Sequence, residues 1–354
     1  MKKKWIVVIV MTCINFIVQM LIRIIPSAAE HYRSYIYPFW VMLGRITSLV
    51  NVSVIEWLLY FFIIGVVVYW ILVFKGKFGE SIKHTLPTIA LHLCIFVNVL
   101  FGIYTLTCGI NYQALSFAEQ NKIQLEDYDL KELEKTAFFL TEELQKIEAQ
   151  VNRNTDGIMQ ISAEINEKAR KQFDNMEEYK GLSGVTLRPK PVMVSQILSY
   201  MQISGIYSPF TIEANYNAHM IPYNIPFTIC HELAHTKGIM REEEANFVAY
   251  LTCIKSEDIE FRYSGVLMGW IYVSNAVARY DRQMYEKIYS MLSEDVKADL
   301  RANSAFWKKY DGKIGEISES INDNYLKVNS QEDGIKSYGR MVDYIVNYHQ
   351  SVIE

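Results

Sequence analysis

Apolar and polar positions divide the chain into two parts of different character. Three early runs contain no Asp, Glu, Lys or Arg, and they are Trp5–Ile22, Trp57–Phe74 and Leu86–Ile110. Each approaches the ~20 residues that an α-helix needs to cross a lipid bilayer. The pattern predicts a membrane region over residues 1–112, with transmembrane helices at about residues 5–25, 55–74 and 86–110.

The first apolar run has a second interpretation. Ser27, Ala28 and Ala29 are small residues of the kind found at signal-peptide cleavage sites, so the run could be a signal peptide. Its apolar core is long for that role, and Arg23 separates it from the small residues. An uncleaved membrane anchor is therefore the favoured interpretation.

The rest of the chain, residues 113–354, shows mainly helical periodicity. Apolar residues recur every three or four positions over residues 129–151, which predicts an amphipathic helix. The proline-containing stretch Ser208–Pro226 favours a strand with connections, and Tyr263–Ala278 is short enough to be a core helix rather than a fourth span. Further helices are predicted over residues 157–179, 192–201, 227–239 and 242–253. The fold class is thus mainly α.

Composition and charge support this division. Hydrophobic residues make up 51% of the chain, which excludes a disordered protein. Residues 1–112 carry nine basic and three acidic side chains, whereas the rest carries 26 basic and 36 acidic ones. An acidic domain lacks the basic surface that binds phosphate backbones, so no nucleic-acid partner is expected. The five cysteines show no disulfide framework, although a bridge between Cys230 and Cys253 stays open.

Basic clusters predict the orientation in the membrane. Two lysine clusters lie on one side of the predicted spans: Lys2–Lys4 before the first, and Lys75, Lys77 and Lys83 between the second and the third. Lys and Arg accumulate in cytoplasmic segments. Three spans then place residues 113–354 outside the cytoplasm, and only Arg33 and Arg45 in the first outer loop oppose this. The expected location is the cell membrane, with several spans and an extracytoplasmic domain.

One short motif carries recognisable chemistry, the H-E-x-x-H sequence of His231, Glu232 and His235. Two histidines four residues apart project from one face of a helix, where both can bind one tetrahedral Zn²⁺. The glutamate beside the first histidine can then accept a proton from water. Incidental histidines on a solvent-facing helix are the alternative, but the other faces of this helix are apolar, which favours a buried site.

An acidic cluster follows the motif, and helical geometry selects one member as third ligand. Glu242 shares a helix face with the small residue Ala245, which allows close approach to the first helix. Asn246 lies on the same face, where it can accept a hydrogen bond from Nδ1–H of a ligand histidine. Glu243 and Glu244 are interpreted as a solvated first helical turn, favoured by the helix dipole.

Several segments resemble a known family. They are residues 210–215 (FTIEAN), 226–235 (PFTICHELAH), 241–251 (REEEANFVAYL), 324–329 (NYLKVN) and 334–342 (GIKSYGRMV). Together with the membrane runs they resemble the bacterial membrane family called domain of unknown function 3810, over essentially the whole chain. The E-x-x-A-N element that begins at Glu242 is also similar to that of gluzincin-type zincin peptidases, in which the first glutamate binds zinc.

The resemblance implies a mostly helical, zincin-like α+β metallopeptidase domain after the transmembrane helices. It also implies Zn²⁺ as cofactor, a peptide or protein as substrate, and a strand before the H-E-x-x-H helix that holds extended substrate. Two features depart from the gluzincin pattern. The interval from His235 to Glu242 is short, and Asn246 stands where many such enzymes have an aspartate.

The function expected from the sequence is that of a membrane-anchored zinc metallopeptidase with Glu232 as general base. Tyr216, His219 and Tyr338 are candidate donors to the substrate or to the oxyanion. A cell-envelope protein that uses the same fold for interaction, without turnover, is the alternative. Hydrolysis of a bond other than a peptide bond also stays open.

Overall fold

The computed structural model describes the backbone of residues 2–75 and 82–353 and the side chains of residues 3–75 and 86–350. Lys77 and the side chains of Lys2 and Lys83, on which part of the predicted orientation depends, lie outside the described residues.

Helices dominate the described residues, and a small sheet accompanies them. The helices are α1 Lys2–Ile24, α2 Pro26–His31, α3 Tyr37–Thr47, α4 Val54–Phe74, α5 Ile82–Tyr104, α6 Phe117–Asn121, α7 Leu130–Ile147, α8 Ile165–Asp174, α9 Ser195–Tyr200, α10 Asn224–Thr236, α11 Glu242–Ile254, α12 Ile259–Tyr280, α13 Arg282–Ser290, α14 Glu294–Lys309, α15 Lys313–Val328 and α16 Met341–Ile353. The strands are β1 Lys190–Pro191, β2 Gly205–Ser208 and β3 Glu213–Tyr216. Short π-helical turns follow α2 and α5, and a 3₁₀ segment, Gly334–Arg340, precedes α16.

Three helices are long and apolar enough to cross a membrane, and they span Lys3–Ile24, Val54–Phe74 and Leu86–Gln113. They match the three predicted spans. In the most apolar 18-residue stretch of each, at most 11% of the residues are buried, which suits contact with lipid and indicates membrane association. The polar residues of α1 face α5 instead: Thr12 Oγ1 donates to Asn98 Oδ1 at 2.9 Å, and Gln19 Nε2 donates to Thr105 Oγ1 at 3.0 Å.

The predicted helices of the second part are present, with one correction. The prediction of a helix over residues 157–179 is wrong in its first half, because the helix that forms, α8, begins only at Ile165. Before α8 the backbone of Arg153 bridges to Met159, and Gly157 has φ +76° in the turn between them. That left-handed turn favours glycine and interrupts helical geometry.

Helix α12, which contains the run Tyr263–Ala278, is the centre of the core. It packs against α7, α10 and α11, and its Trp270 is buried and donates to Thr141 Oγ1 at 2.9 Å. The expectation of a core helix is confirmed at this position. Cys230 and Cys253 lie in the same core as buried free thiols.

The sheet has the strand order β1-β3-β2, with β1 parallel and β2 antiparallel to β3. β3 is central and packs on α10, while β2 is an edge strand that also contacts α10. The register pairs Gly205 of β2 with Tyr216 of β3. Two strands therefore lie directly against the helix that carries the H-E-x-x-H motif.

The second membrane helix is joined to the domain by a buried carboxylate. Glu213 accepts hydrogen bonds from the backbone N–H groups of Val54 (3.1 Å) and Ile55 (2.9 Å) at the start of α4, and it pairs with the buried ammonium of Lys190. A helix N-terminus leaves such N–H groups without partners and favours a negative charge. Glu56 of α4 in turn accepts from the backbone of Met193 at 2.7 Å. The membrane region and the domain thus share polar contacts that the sequence division at residue 112 did not anticipate.

Replacement of Glu213 by alanine should strongly destabilise the fold. Lys190 would remain buried without its carboxylate, and breaking a buried ion pair in this way costs about 3–5 kcal/mol. The measurement is the free energy of unfolding of the full chain by chemical denaturation in detergent. Glu286→Ala is the control, since Glu286 and Arg282 form an exposed pair worth less than about 1 kcal/mol. Equal losses in the two variants would contradict the structural role of Glu213.

Candidate metal centre

Helix α10 brings the two motif histidines together in a buried position. His231 and His235 are one helical turn apart, and their Nε2 atoms lie 3.0 Å from each other. Their rings are nearly perpendicular, with an interplanar angle of 89°. Both side chains are buried, as is every other residue of α10, which packs against α8, α11, α12, β2 and β3.

Glu242 approaches the same point from the start of α11. Gly238, with φ +85°, turns the chain after α10, so that the first turn of α11 faces back toward the histidines. Glu242 Oε2 lies 3.2 Å from His231 Nε2 and 3.7 Å from His235 Nε2. The three side chains are the one group of potential metal ligands that the described residues bring within 4.8 Å.

These separations fit a tetrahedral zinc ion. Zinc binds nitrogen and oxygen at about 2.0–2.2 Å, so two ligand atoms of a tetrahedron lie about 3.3–3.6 Å apart. The observed distances of 3.0, 3.2 and 3.7 Å bracket that range. Two histidines and one carboxylate leave a fourth position for water or substrate, as in catalytic zinc sites.

The hydrogen bond of His235 orients its lone pair toward this point. His235 Nδ1 lies 2.8 Å from the carbonyl oxygen of Ile239, which can only accept, so Nδ1 carries the proton. Nε2 is then left with a free lone pair when the ring is neutral. Glu242 Oε2, which lies near both Nε2 atoms, has no hydrogen-bond partner of ordinary geometry among the described residues. An unsatisfied buried carboxylate oxygen in this position favours a bound cation.

Burial and mutual charge shift the pKa values of the cluster. Burial alone raises the pKa of Glu242, but His235 and His231 outweigh it and hold that pKa well below its ordinary value. For His235, burial lowers the pKa and Glu242 more than offsets it, giving a pKa of about 9. The cluster therefore stabilises a positive charge beside the Glu242 carboxylate.

The carboxyl group of Glu232 lies against the start of strand β2, near the ligand cluster. A Cβ atom at Gly205 would lie only 2.8 Å from Glu232 Cδ, so a larger residue there would displace the carboxylate. Burial raises the pKa of Glu232 to about 7, with His231 and His235 lowering it and Glu242 raising it. A carboxyl with this pKa can both accept and release a proton near neutral pH.

Of the three candidate oxyanion donors, the structure brings Tyr338 to the metal centre. Its hydroxyl interacts with the Glu242 carboxylate, and burial followed by the charge of Glu242 raises the pKa of Tyr338 well above its ordinary value. Tyr216 lies on the sheet face near Glu232, but its hydroxyl interacts with Asn166. His219 lies elsewhere: its Nδ1 is 3.1 Å from Ser199 Oγ, and its ring packs on Phe306 and Tyr310.

Asn246 does not make the predicted contact with a ligand histidine. The Ile239 carbonyl takes the place expected for it at His235 Nδ1. Asn246 Nδ2 instead lies 3.4 Å from the hydroxyl of Tyr272, whose pKa is raised to about 12 by burial and by the nearby Glu242. Asn246 therefore supports a tyrosine near the carboxylate ligand.

Glu243 and Glu244 also differ from the prediction, because both are buried rather than solvated. Glu243 accepts from Gln331 Nε2 at 2.7 Å and pairs with Arg340 at 3.1 Å. Glu244 pairs with Arg241 at 3.4 Å. Arg241 directly precedes α11, whereas Gln331 and Arg340 lie after α15, and none of these partners is a ligand of the candidate site.

Two tyrosines that the sequence did not single out also contact the motif helix. The hydroxyl of Tyr37 in α3 lies 3.2 Å from the carbonyl oxygen of Thr236, where α10 ends and its carbonyls lack helical partners. It also lies 3.1 Å from the hydroxyl of Tyr207, whose ring centroid is 6.0 Å from that of His235. Neither residue belongs to a motif, so no local signal could have identified them.

A family model described as "Protein of unknown function (DUF3810)" matches residues 32–346. The match covers most of the chain, and the chain belongs to this family, as the sequence resemblance predicted. No curated protein and no solved structure shows significant similarity to the chain.

Replacement of Glu242 by alanine should reduce zinc affinity severely, because it removes a metal ligand. The reduction should exceed the 10- to 100-fold that is typical when a residue supporting a ligand is mutated. Glu243→Gln should bind zinc nearly as the unaltered chain does, because Glu243 contacts Arg340 and Gln331 rather than the histidines. Titration of zinc into the full-length protein in the presence of a competing chelator measures the zinc affinity of both variants. His231→Ala is the reference for a protein that has lost a zinc ligand. Zinc binding that fails in Glu243→Gln and survives in Glu242→Ala would refute the assignment of the third ligand.

Proposed function

We propose that this member of the DUF3810 family is a membrane-anchored, zinc-dependent metallopeptidase with a zincin-like domain outside the cytoplasm. His231, His235 and Glu242 hold the zinc ion, and Glu232 is the general base. The observation that carries the proposal is the buried convergence of two Nε2 atoms and one carboxylate oxygen within 4.8 Å, beside a further carboxyl with a pKa of about 7.

The side chains near the site have complementary roles in hydrolysis. A bound zinc ion supplies a Lewis acid that polarises the substrate carbonyl and makes water more acidic. Glu232 accepts the proton of the attacking water and later donates it to the leaving amine. Tyr338 stays protonated because its pKa is raised, so its hydroxyl can donate to the oxygen that becomes negative.

The edge strand β2 offers a binding surface for a peptide. β3 pairs with one side of β2, and no strand among the described residues pairs with its other side. An extended peptide can add to such an edge through main-chain hydrogen bonds. Gly205, at the start of β2, adjoins Glu232, so a peptide on this strand would pass the general base.

Contacts at the ends of the three spans support the proposed orientation. The domain contacts the C-terminal end of α1 through Arg23 and Val328, the N-terminal end of α4 through Glu213, and the last turn of α5 through Tyr104. Three consecutive spans that alternate in direction place these particular ends on one side of the membrane. The lysine cluster Lys2–Lys4 lies at the other end of α1. Because basic residues accumulate in cytoplasmic segments, the side of the membrane that holds this cluster is proposed to be the cytoplasmic side.

Replacement of Glu232 by glutamine should abolish hydrolysis and leave bound zinc near stoichiometric. Loss of general acid–base catalysis lowers rates by about 10²- to 10⁴-fold, whereas Glu232 is not a metal ligand. Hydrolysis of a peptide library tests the loss of activity, and metal analysis of the same purified full-length samples tests the retention of zinc. Glu257→Gln is the control, because it makes the same substitution at an exposed glutamate.

Two outcomes would contradict this proposal. Loss of zinc together with activity in Glu232→Gln would make Glu232 a ligand rather than a base. An unaltered chain that binds zinc and hydrolyses no peptide would instead support the alternative, a cell-envelope interaction protein.

Protease added to intact protoplasts or spheroplasts should digest the domain that follows α5, because the proposed orientation exposes it outside the cytoplasm. A cytoplasmic marker protein should survive the same treatment until the cells are lysed. If the domain is protected in intact cells and digested only after lysis, the orientation is the reverse of the one proposed.

A further inference from the structure

Helix α15 presents an apolar stripe that the described chain leaves largely exposed. Ile314, Ile317, Ile321 and Val328 are between 58% and 69% exposed, and Tyr325 lies in line with them. At 100° per residue these five side chains fall within an arc of about 80°. The opposite side of the helix is charged, and it carries Glu316, Glu319, Asp323 and Lys327. An exposed stripe opposite a charged face is the pattern of a helix that lies in a membrane interface.

The last turn of α15 is attached to the ends of two membrane helices. Arg23, at the end of α1, donates from Nη2 to the carbonyl oxygen of Val328 at 2.9 Å. The hydroxyl of Tyr104, at the end of α5, is 2.5 Å from Asn329 Oδ1, and its ring packs edge-on against that of Tyr325 at 6.1 Å. The end of the stripe therefore lies beside the C-terminal ends of α1 and α5.

The first turn of α15 is connected to the second membrane helix through α9. A Cβ atom at Gly315 would lie 2.8 Å from Gln202 Cγ, so α15 packs closely against the end of α9. At the start of α9, the backbone of Val194 donates to Glu56 in the first turn of α4 at 3.0 Å. Both ends of α15 are thus tied to the same side of the membrane region, and Met193 and Ile197 add exposed apolar side chains beside it.

We infer that the apolar stripe of α15 lies in the interface of the lipid bilayer that contains the three spans. The bilayer is the occupant that the structure favours, because the stripe ends beside the C-terminal ends of α1 and α5, whose own apolar side chains are exposed. The acidic face of α15 points away from the lipid, so insertion depends on apolar contact rather than on attraction to charged headgroups.

With the stripe of α15 in the bilayer interface, the metal centre lies close to the membrane surface. Asn322, on another face of α15, has Nδ2 3.4 Å from the hydroxyl of Tyr338, which interacts with Glu242. Asn322 and Tyr338 therefore connect the helix that contacts the lipid to the metal centre. If the proposed peptidase function holds, its substrates are chain segments that lie next to the membrane.

Site-directed fluorescence quenching in proteoliposomes tests the lipid contact. Cys13 and Cys94, the cysteines that are not buried, are replaced by alanine in the full-length chain. A cysteine is then introduced at Ile321 in the stripe, or at Glu319, which lies about 160° away around the helix. Each variant is labelled with an environment-sensitive fluorophore and exposed either to lipids with a nitroxide near the headgroup or to aqueous iodide.

The label at Ile321→Cys should be quenched several-fold more strongly by the nitroxide lipid than by iodide, and the label at Glu319→Cys should show the reverse. Ile317→Cys is a second stripe position in case one variant folds poorly. Equal iodide quenching at 321 and 319 would place the stripe in water and overturn the inference. Protection of the label at 321 from both quenchers would also overturn it, because a second copy of the chain would then cover the stripe. The readout does not depend on zinc or turnover, so its failure is distinct from failure of the proposed function.

Discussion

A buried carboxylate between two imidazole nitrogens is the constraint on which the candidate site depends. Glu242 Oε2 is removed from water and lies 3.2 Å from His231 Nε2 and 3.7 Å from His235 Nε2. Lone pairs at such distances repel each other unless a positive charge lies among them. The turn at Gly238 and the hydroxyl of Tyr37 hold α10 and α11 in the arrangement that forces this approach. Much of the surrounding packing therefore serves to keep a cation-binding geometry in place.

The N-terminal part of the chain, with its three long apolar helices, is a structural part of this arrangement. Tyr37 reaches the end of α10 from the segment between the first two spans, and Glu213 fixes the start of α4 to the sheet. The sheet in turn positions Gly205 beside Glu232. The start of α4 is thus connected to Glu232 through Glu213, the sheet and Gly205.

Local patterns were enough to predict some features and not others. Helical spacing brings His231 and His235 together, and the face shared with small residues singles out Glu242, because both signals lie within a few residues of each other. The partners of Asn246 and Glu243 come from α12 and from the segment after α15. Neither contact has a local signature, so the predicted roles of these two residues failed where tertiary packing decides. The helix predicted from residue 157 failed for the same reason, since the pairing of Arg153 with Met159 outweighs local propensity.

The charge balance of the site indicates which kind of cation suits it. Glu242 and Glu232 are both buried, and the two histidines are the groups that most lower their pKa values. Burial keeps Tyr338 and Tyr272 protonated, so they donate hydrogen bonds without adding charge. Burial is the main cause that raises the pKa of Glu232 to about 7, so this carboxyl is partly protonated near neutral pH. A divalent cation balances both carboxylates in their ionised form, and this is the form in which Glu232 can act as a base.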